Sequence, residues 1–149
     1  LDNTLKAKIA FEILQIDELI EELSPLLEKC IAREPDFIEL NAAGAVLHAY
    51  YNGLESIFLL IGKNVDGTRI SGERWHTELL NSMFKPTKKR KALFDEELYD
   101  QLTDYMGFRH FFRHTYSYHL RWDLIKPLLM NIRENWISVK AAVQRFIDL

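Results

Sequence analysis

From Thr4 to about Arg33 the apolar residues Leu5, Ile9, Ile13, Ile16, Ile20, Leu23, Leu27 and Cys30 recur at steps of four and three, with acidic residues between them. That period predicts a long amphipathic helix, with Pro25 placed to kink or divide it near Ser24. A second helix is predicted from Pro35, in its first turn, along the stripe Leu40, Ala43, Leu47, Tyr50, Leu54, Ile57 and Ile61 to Gly62. The stretch from Asn64 to Gly72 reads as a connector, with Asp66-Gly67 its clearest turn signal. Ser71 is the expected cap of a short third helix reaching Phe84, whose apolar face holds Trp75, Leu79, Leu80 and Met83. Asp95 is the expected cap of a fourth, with Leu98, Leu102, Tyr105, Phe108 and Phe112 on its apolar side. After Asp123 a last helix carries Ile125, Leu129, Ile132, Trp136, Val139, Val143 and Phe146, with Pro127 within its first turn or so. Four long helices, one short one and no convincing strand predict an all-α, up-and-down bundle formed by one domain over 1–149. Stripes this regular would equally suit a dimer interface.

The acidic polar face of the first helix, with Glu12, Asp17, Glu18, Glu21, Glu22 and Glu28, reads as a solvated surface. The second helix is different. His48, Asn52 and Glu55 share one of its faces at spacings of four and three, so this trio is either a wet surface or the border of a site in which Asn52 or Glu55 orients a catalytic group. His76, alone on its short helix, reads as structural or exposed.

The net charge of −3 excludes a protein that coats polyanions with its whole surface, so contact with nucleic acid would need a local patch. Lys85-Pro-Thr-Lys-Lys-Arg-Lys is such a patch, with five cations in seven residues. Its like charges predict a loop that stays mobile until it meets an anion, and Lys88, Lys89, Arg90 and Lys91 are candidate RNA contacts. A single cysteine, Cys30, has no partner for an intrachain disulfide and fits a reducing cytoplasm. No apolar run reaches the length of a membrane helix, and the first residues lack a basic region followed by an apolar block, so neither membrane insertion nor a signal peptide is expected.

The densest chemistry lies between Gly107 and Leu120, where fourteen residues hold three of the five histidines, two arginines, three phenylalanines and two tyrosines. Arg109, His114 and Tyr116 form an Arg-x4-His-x-Tyr string. On an unbroken helix Arg109 and His114 would sit about 140° apart, so they converge on one phosphate only if the helix breaks near His114 or a second copy completes the site. A histidine near neutral pKa can take a proton from a ribose 2′-hydroxyl or give one to the leaving 5′-oxygen. An arginine fork can hold the charge that builds on the phosphoryl oxygens. Arg109 and His114 are therefore the candidate catalytic pair, with His110 and Arg113 as substrate contacts. His110 and His114 also have the spacing of a helical metal pair, but Asp123 is the only obvious further ligand, so neither a metal nor another cofactor is expected.

The Arg-x4-His-x-Tyr string, in the context Phe-Arg-His-Phe-Phe-Arg-His and together with Tyr51-Asn52-Gly53-Leu54-Glu55, resembles the HEPN superfamily, and within it the HepT-like ribonuclease toxins. That resemblance implies a homodimeric helical ribonuclease of a type VII-like toxin-antitoxin pair, acting on cellular RNA with tRNA a target class. It also implies a cognate MNT nucleotidyltransferase that silences the toxin by AMPylation of the motif tyrosine, Tyr116. A different class of function fits the same residues: a non-catalytic helical subunit that holds nucleotide or RNA for a nucleotidyltransferase. In a third, the histidine-rich segment is only an interface.

Overall fold

The computed structural model describes residues 1–114 and 119–148. Among these every regular element is a helix, with no strands, and the helices form a bundle. The first predicted helix is two. Asp2 accepts from the Leu5 amide at 2.7 Å and starts α1, Asn3–Glu22, and a single residue, Leu23, separates it from α2, Ser24–Ala32. Pro25 lies in the first turn of α2, where its missing N–H would leave the Glu21 carbonyl unpaired in one continuous helix.

α3, Phe37–Ile61, opens on a capping box: Asp36 accepts from the Glu39 amide at 2.8 Å and Glu39 accepts from the Asp36 amide at 3.0 Å. Pro35 therefore sits ahead of the cap rather than in the first turn. α3 buries neighbouring residues in pairs, Tyr50 with Tyr51, Leu54 with Glu55 and Ile57 with Phe58. Burial on more than one side makes it the spine of the bundle, packed by α1 and by three helices that follow it: α4, Trp75–Phe84, α5, Glu96–Arg113, and α6, Trp122–Met130. A π-helical turn, Gly62–Asp66, ends the spine, and Gly67 in the left-handed region (φ 65°) reverses the chain.

Three expected boundaries move. α4 starts at Trp75 with no side-chain cap, so Ser71 does not cap it; Gly72 at φ 101° turns the chain between them. The last helix is also two, α6 and α7, Ile132–Ile147, with Pro127 inside α6 beyond its first turn. Asn131 makes the break, because its side-chain amide donates to the Pro127 carbonyl at 2.7 Å and so supplies the bond that a continuing helix would make. Asp95 does cap α5, accepting from the Leu98 amide at 2.9 Å. The predicted stripes are nevertheless the core: Ile125, Leu129, Ile132, Trp136, Val139, Val143 and Phe146 are all buried, as are most of those on α1, α2 and α3. Among the described residues no helix is long and apolar enough to cross a membrane.

Candidate functional site

α5 passes α3 in the opposite sense. Its Phe112 meets His48 and Gly44, and one turn earlier Arg109 meets Asn52 and Glu55. Gly44 allows the approach, since a Cβ there would lie 2.8 Å from the Phe112 ring. The close crossing turns Arg109 inward, to 9% exposure. A buried cation is costly unless it is paired and hydrogen-bonded, and α3 supplies both needs. The Arg109 Nε–H donates to Asn52 Oδ1 at 2.7 Å, and Glu55 Oε1 lies 3.3 Å from the same nitrogen. α4 adds His76, whose Nδ1 is 2.7 Å from Glu55 Oε2 and whose Nε2 is 3.4 Å from Arg109 Nη1. The indole of Trp75 lies against the His76 ring, with centroids 3.6 Å apart.

Two further polar atoms, His48 Nδ1 and Tyr51 Oη, are buried near this cluster without hydrogen-bond partners among the described residues. Burial, and then the positive charges of Arg109 and Arg113, hold the His48 pKa below its ordinary value. Burial chiefly, with the Glu55 carboxylate adding to it, pushes the Tyr51 phenol well up. Both side chains are therefore neutral near pH 7.

The structure thus joins Arg109 to Asn52 and Glu55, but it does not join Arg109 to His114. α5 ends at Arg113, close to the expected break. His114 caps it, with its backbone N–H 3.1 Å from the Phe111 carbonyl. Its exposed ring lies beside that of His110, centroids 4.6 Å apart, and no contact links it to Arg109 among the described residues. His110, Arg113 and His114 form a basic, solvent-facing end to α5, where the helix dipole favours the Arg113 charge. Tyr116, the expected AMPylation site, lies outside the described residues. So does Tyr118.

The basic segment lies beyond the far end of α4 from His76. Lys88, Lys89 and Lys91 are exposed, but Arg90 is not. Its Nε and Nη2 donate to the two Asp66 oxygens at 2.8 and 2.7 Å, and its remaining N–H groups reach the carbonyls of Lys85, Lys91 and Ser82 at 3.2, 3.0 and 2.9 Å. All five guanidinium donors are thereby engaged. Arg90 is a strut rather than a free substrate contact. It pins the loop to the end of α3 instead of leaving it to move until an anion arrives.

His76 and the inward turn of Arg90 are what the sequence reading missed. Neither has a local signal, because the partners Glu55 and Asp66 lie 21 and 24 positions away. Among the described residues no three His, Cys, Asp or Glu side chains are grouped to hold a metal ion.

An arginine clamped inside a helical bundle by an amide and a carboxylate, one turn from an exposed histidine-rich helix end, marks a small all-α protein built around an Arg-x4-His segment. Over residues 42–149, which include all of the site, the chain matches the family described as HepT-like protein, and it belongs to that family within the HEPN superfamily. No curated protein and no solved structure matches it.

Proposed function

We propose that this chain is a metal-independent endoribonuclease, the toxin of a type VII-like toxin-antitoxin pair that cuts cellular RNA in the cytoplasm, with tRNA the expected class. The observation that carries this reading is the clamped guanidinium of Arg109. Its Nε edge is fixed on α3, while Nη2 makes no hydrogen bond to any described residue. A donor held in place before substrate arrives suits a transition state whose charge grows on phosphoryl oxygens. In the reaction a ribose 2′-oxygen attacks the adjacent phosphorus and loses its proton to a base. The bond to the 5′-oxygen breaks, and that oxygen takes a proton from an acid. The products are a 2′,3′-cyclic phosphate and a 5′-hydroxyl.

His114 is the proposed acid or base, and its distance from Arg109 is the reason to place the working site across two copies of the chain. Phe111 and Leu124, both exposed, border a groove between α5 and α6 beside the histidine-rich end, a surface suited to a second copy. His110 and Arg113 at this end, with Lys88, Lys89 and Lys91 on the loop, are the proposed substrate contacts. The family relationship supports a cognate MNT nucleotidyltransferase that places AMP on Tyr116, filling the anion site with a nucleotide phosphate.

The separation of Arg109 and His114 also favours a second reading, in which the chain binds RNA or nucleotide for a nucleotidyltransferase without cutting it. Incubation with total tRNA in EDTA decides between them. Cleavage to cyclic-phosphate ends, abolished in Arg109→Ala and His114→Ala, is expected. Tight binding by a folded protein with intact RNA would replace the nuclease with the binding subunit.

A further inference from the structure

We propose that His76 is a positioning residue that locks the Arg109 guanidinium in one orientation. The imidazole lies between two groups of fixed polarity. The Glu55 carboxylate, 2.7 Å from Nδ1, only accepts, and the Arg109 guanidinium, 3.4 Å from Nε2, only donates. Both contacts are satisfied together by one form of the ring, neutral with its proton on Nδ1. An imidazolium would aim a second N–H at the guanidinium and lose the acceptor.

This arrangement closes a ring of contacts. Asn52 and Glu55 hold the Nε edge from α3, Glu55 holds His76, and His76 holds the Nη1 edge from α4. With the Nε contact alone, the direction of Nε–H is held, but the two Nη groups still exchange places by rotation about the Nε–Cζ bond. A second anchor on Nη1 stops that rotation and gives Nη2 one direction. The imidazole is itself held, by Glu55 on one edge and by the Trp75 indole against its face. Arg109 and His76 thus convert a buried charge into an oriented donor, the property a phosphoryl site requires. The kinetic part of this inference rests on the ribonuclease reading; the geometric part does not.

A merely structural His76 would serve only to satisfy Glu55, and two substitutions separate the roles. In His76→Asn the shorter amide still donates to Glu55 but has no atom at the Nε2 position, so the Arg109 contact is lost together with the ring against Trp75. In His76→Phe the ring against Trp75 remains and both hydrogen bonds go. The full chain is studied by nitrogen-15 NMR of the arginine side chains, with the Arg109 signals assigned by their loss in Arg109→Lys, and by cleavage of tRNA in EDTA.

Resolved Nη1 and Nη2 signals are expected in the wild type, merging in both His76 variants as the guanidinium gains rotation. The turnover number is expected to fall roughly tenfold or more in both variants while KM changes less than about threefold, as for an interaction made mainly in the transition state. If His76→Phe does not fold, His76→Asn decides alone, because it keeps the partner of Glu55. His76→Asn with wild-type Nη signals and wild-type turnover overturns the proposal. A wild type that cuts no RNA, but whose Nη signals merge in His76→Asn, upholds the positioning role and removes the ribonuclease reading instead.

Discussion

Arg109 Nε lies 2.7 Å from Asn52 Oδ1 across 57 positions of sequence, and Glu55, one turn further along α3, balances the same guanidinium from 3.3 Å. The side chains of Arg109 and Glu55 are 11% and 5% exposed, so solvent screens the pair little. Glu55→Ala strands a buried cation and is expected to cost about 3–5 kcal/mol of unfolding free energy, read from urea denaturation. Arg109→Ala strands the carboxylate. The double variant is expected to lose clearly less than the sum of the two single ones, because neither charge is then left alone.

Arg90 and its lysine neighbours separate stability from binding. Arg90→Ala leaves Asp66 and three carbonyls without their donor, and a loss of about 3–5 kcal/mol is expected from a thermal or urea melt. Lys88→Ala and Lys89→Ala remove exposed charges and are expected to shift stability by less than about 0.5 kcal/mol. If the loop meets RNA, each lysine variant weakens binding and makes it less salt-dependent, as titrations at several ionic strengths would record.

A chain of polar groups, running from the buried Tyr50 and Asn135 out to the exposed Gln101, ties α3, α7 and α5 together away from the site. The Tyr50 hydroxyl donates to Asn135 Oδ1 at 2.6 Å, and Asn135 Nδ2 donates to Gln101 at 2.8 Å. Asn135→Ala leaves the fully buried Tyr50 hydroxyl unpaired and is expected to cost about 1–3 kcal/mol in a urea melt. Tyr50→Phe in the Asn135→Ala background is expected to recover part of that loss.

His48 sets a sign for the pH dependence. Its folded pKa is lowered from 6.5 by burial and by the Arg109 and Arg113 charges, so below that value the unfolded chain takes up a proton before the folded one does. Stability is therefore expected to fall as the pH drops through about 6.5 toward the lowered folded value. Urea midpoints measured between pH 8 and 5.5 are expected to decline less steeply in His48→Gln. Glu39 acts in a lower window. Hydrogen bonds from Arg33, then the Asp36 amide, hold its carboxyl at about 2, so its contribution is present above its ordinary value of 4.5 and fades below it.

The bundle was legible because burial repeats with the helix period, and residues such as Trp136 and Leu47 report that period without knowledge of their partners. Boundaries were less so. Pro127 and Ser71 are permissive signals, and an Asn131 amide bonding back to Pro127 ends α6 where an apolar stripe runs on unbroken. In the site, Asn52 and Glu55 stood out because they share a helix face with His48. Their ligand, Arg109, was singled out separately by its spacing to His114. What joined them was the close crossing at Gly44 and Phe112, a property of two helices at once. His76 and Arg90 illustrate the limit: a lone imidazole and one cation among five carry no periodicity that says which of them turns inward.

The spine helix fixes more than the core. Glu55, which braces the inward guanidinium, and Asp66, which bolts down the lysine loop, are eleven residues apart on α3 and its π-helical extension. At helical rise that is a span of about 16 Å. Arg109 and the lysine loop are thus braced from one rigid calliper rather than held independently. If the chain takes RNA as proposed, a stiff polyanion whose charges match that gauge would engage both jaws without reshaping the protein, while a shorter or floppier one would engage a single jaw or give up conformational freedom to reach the second.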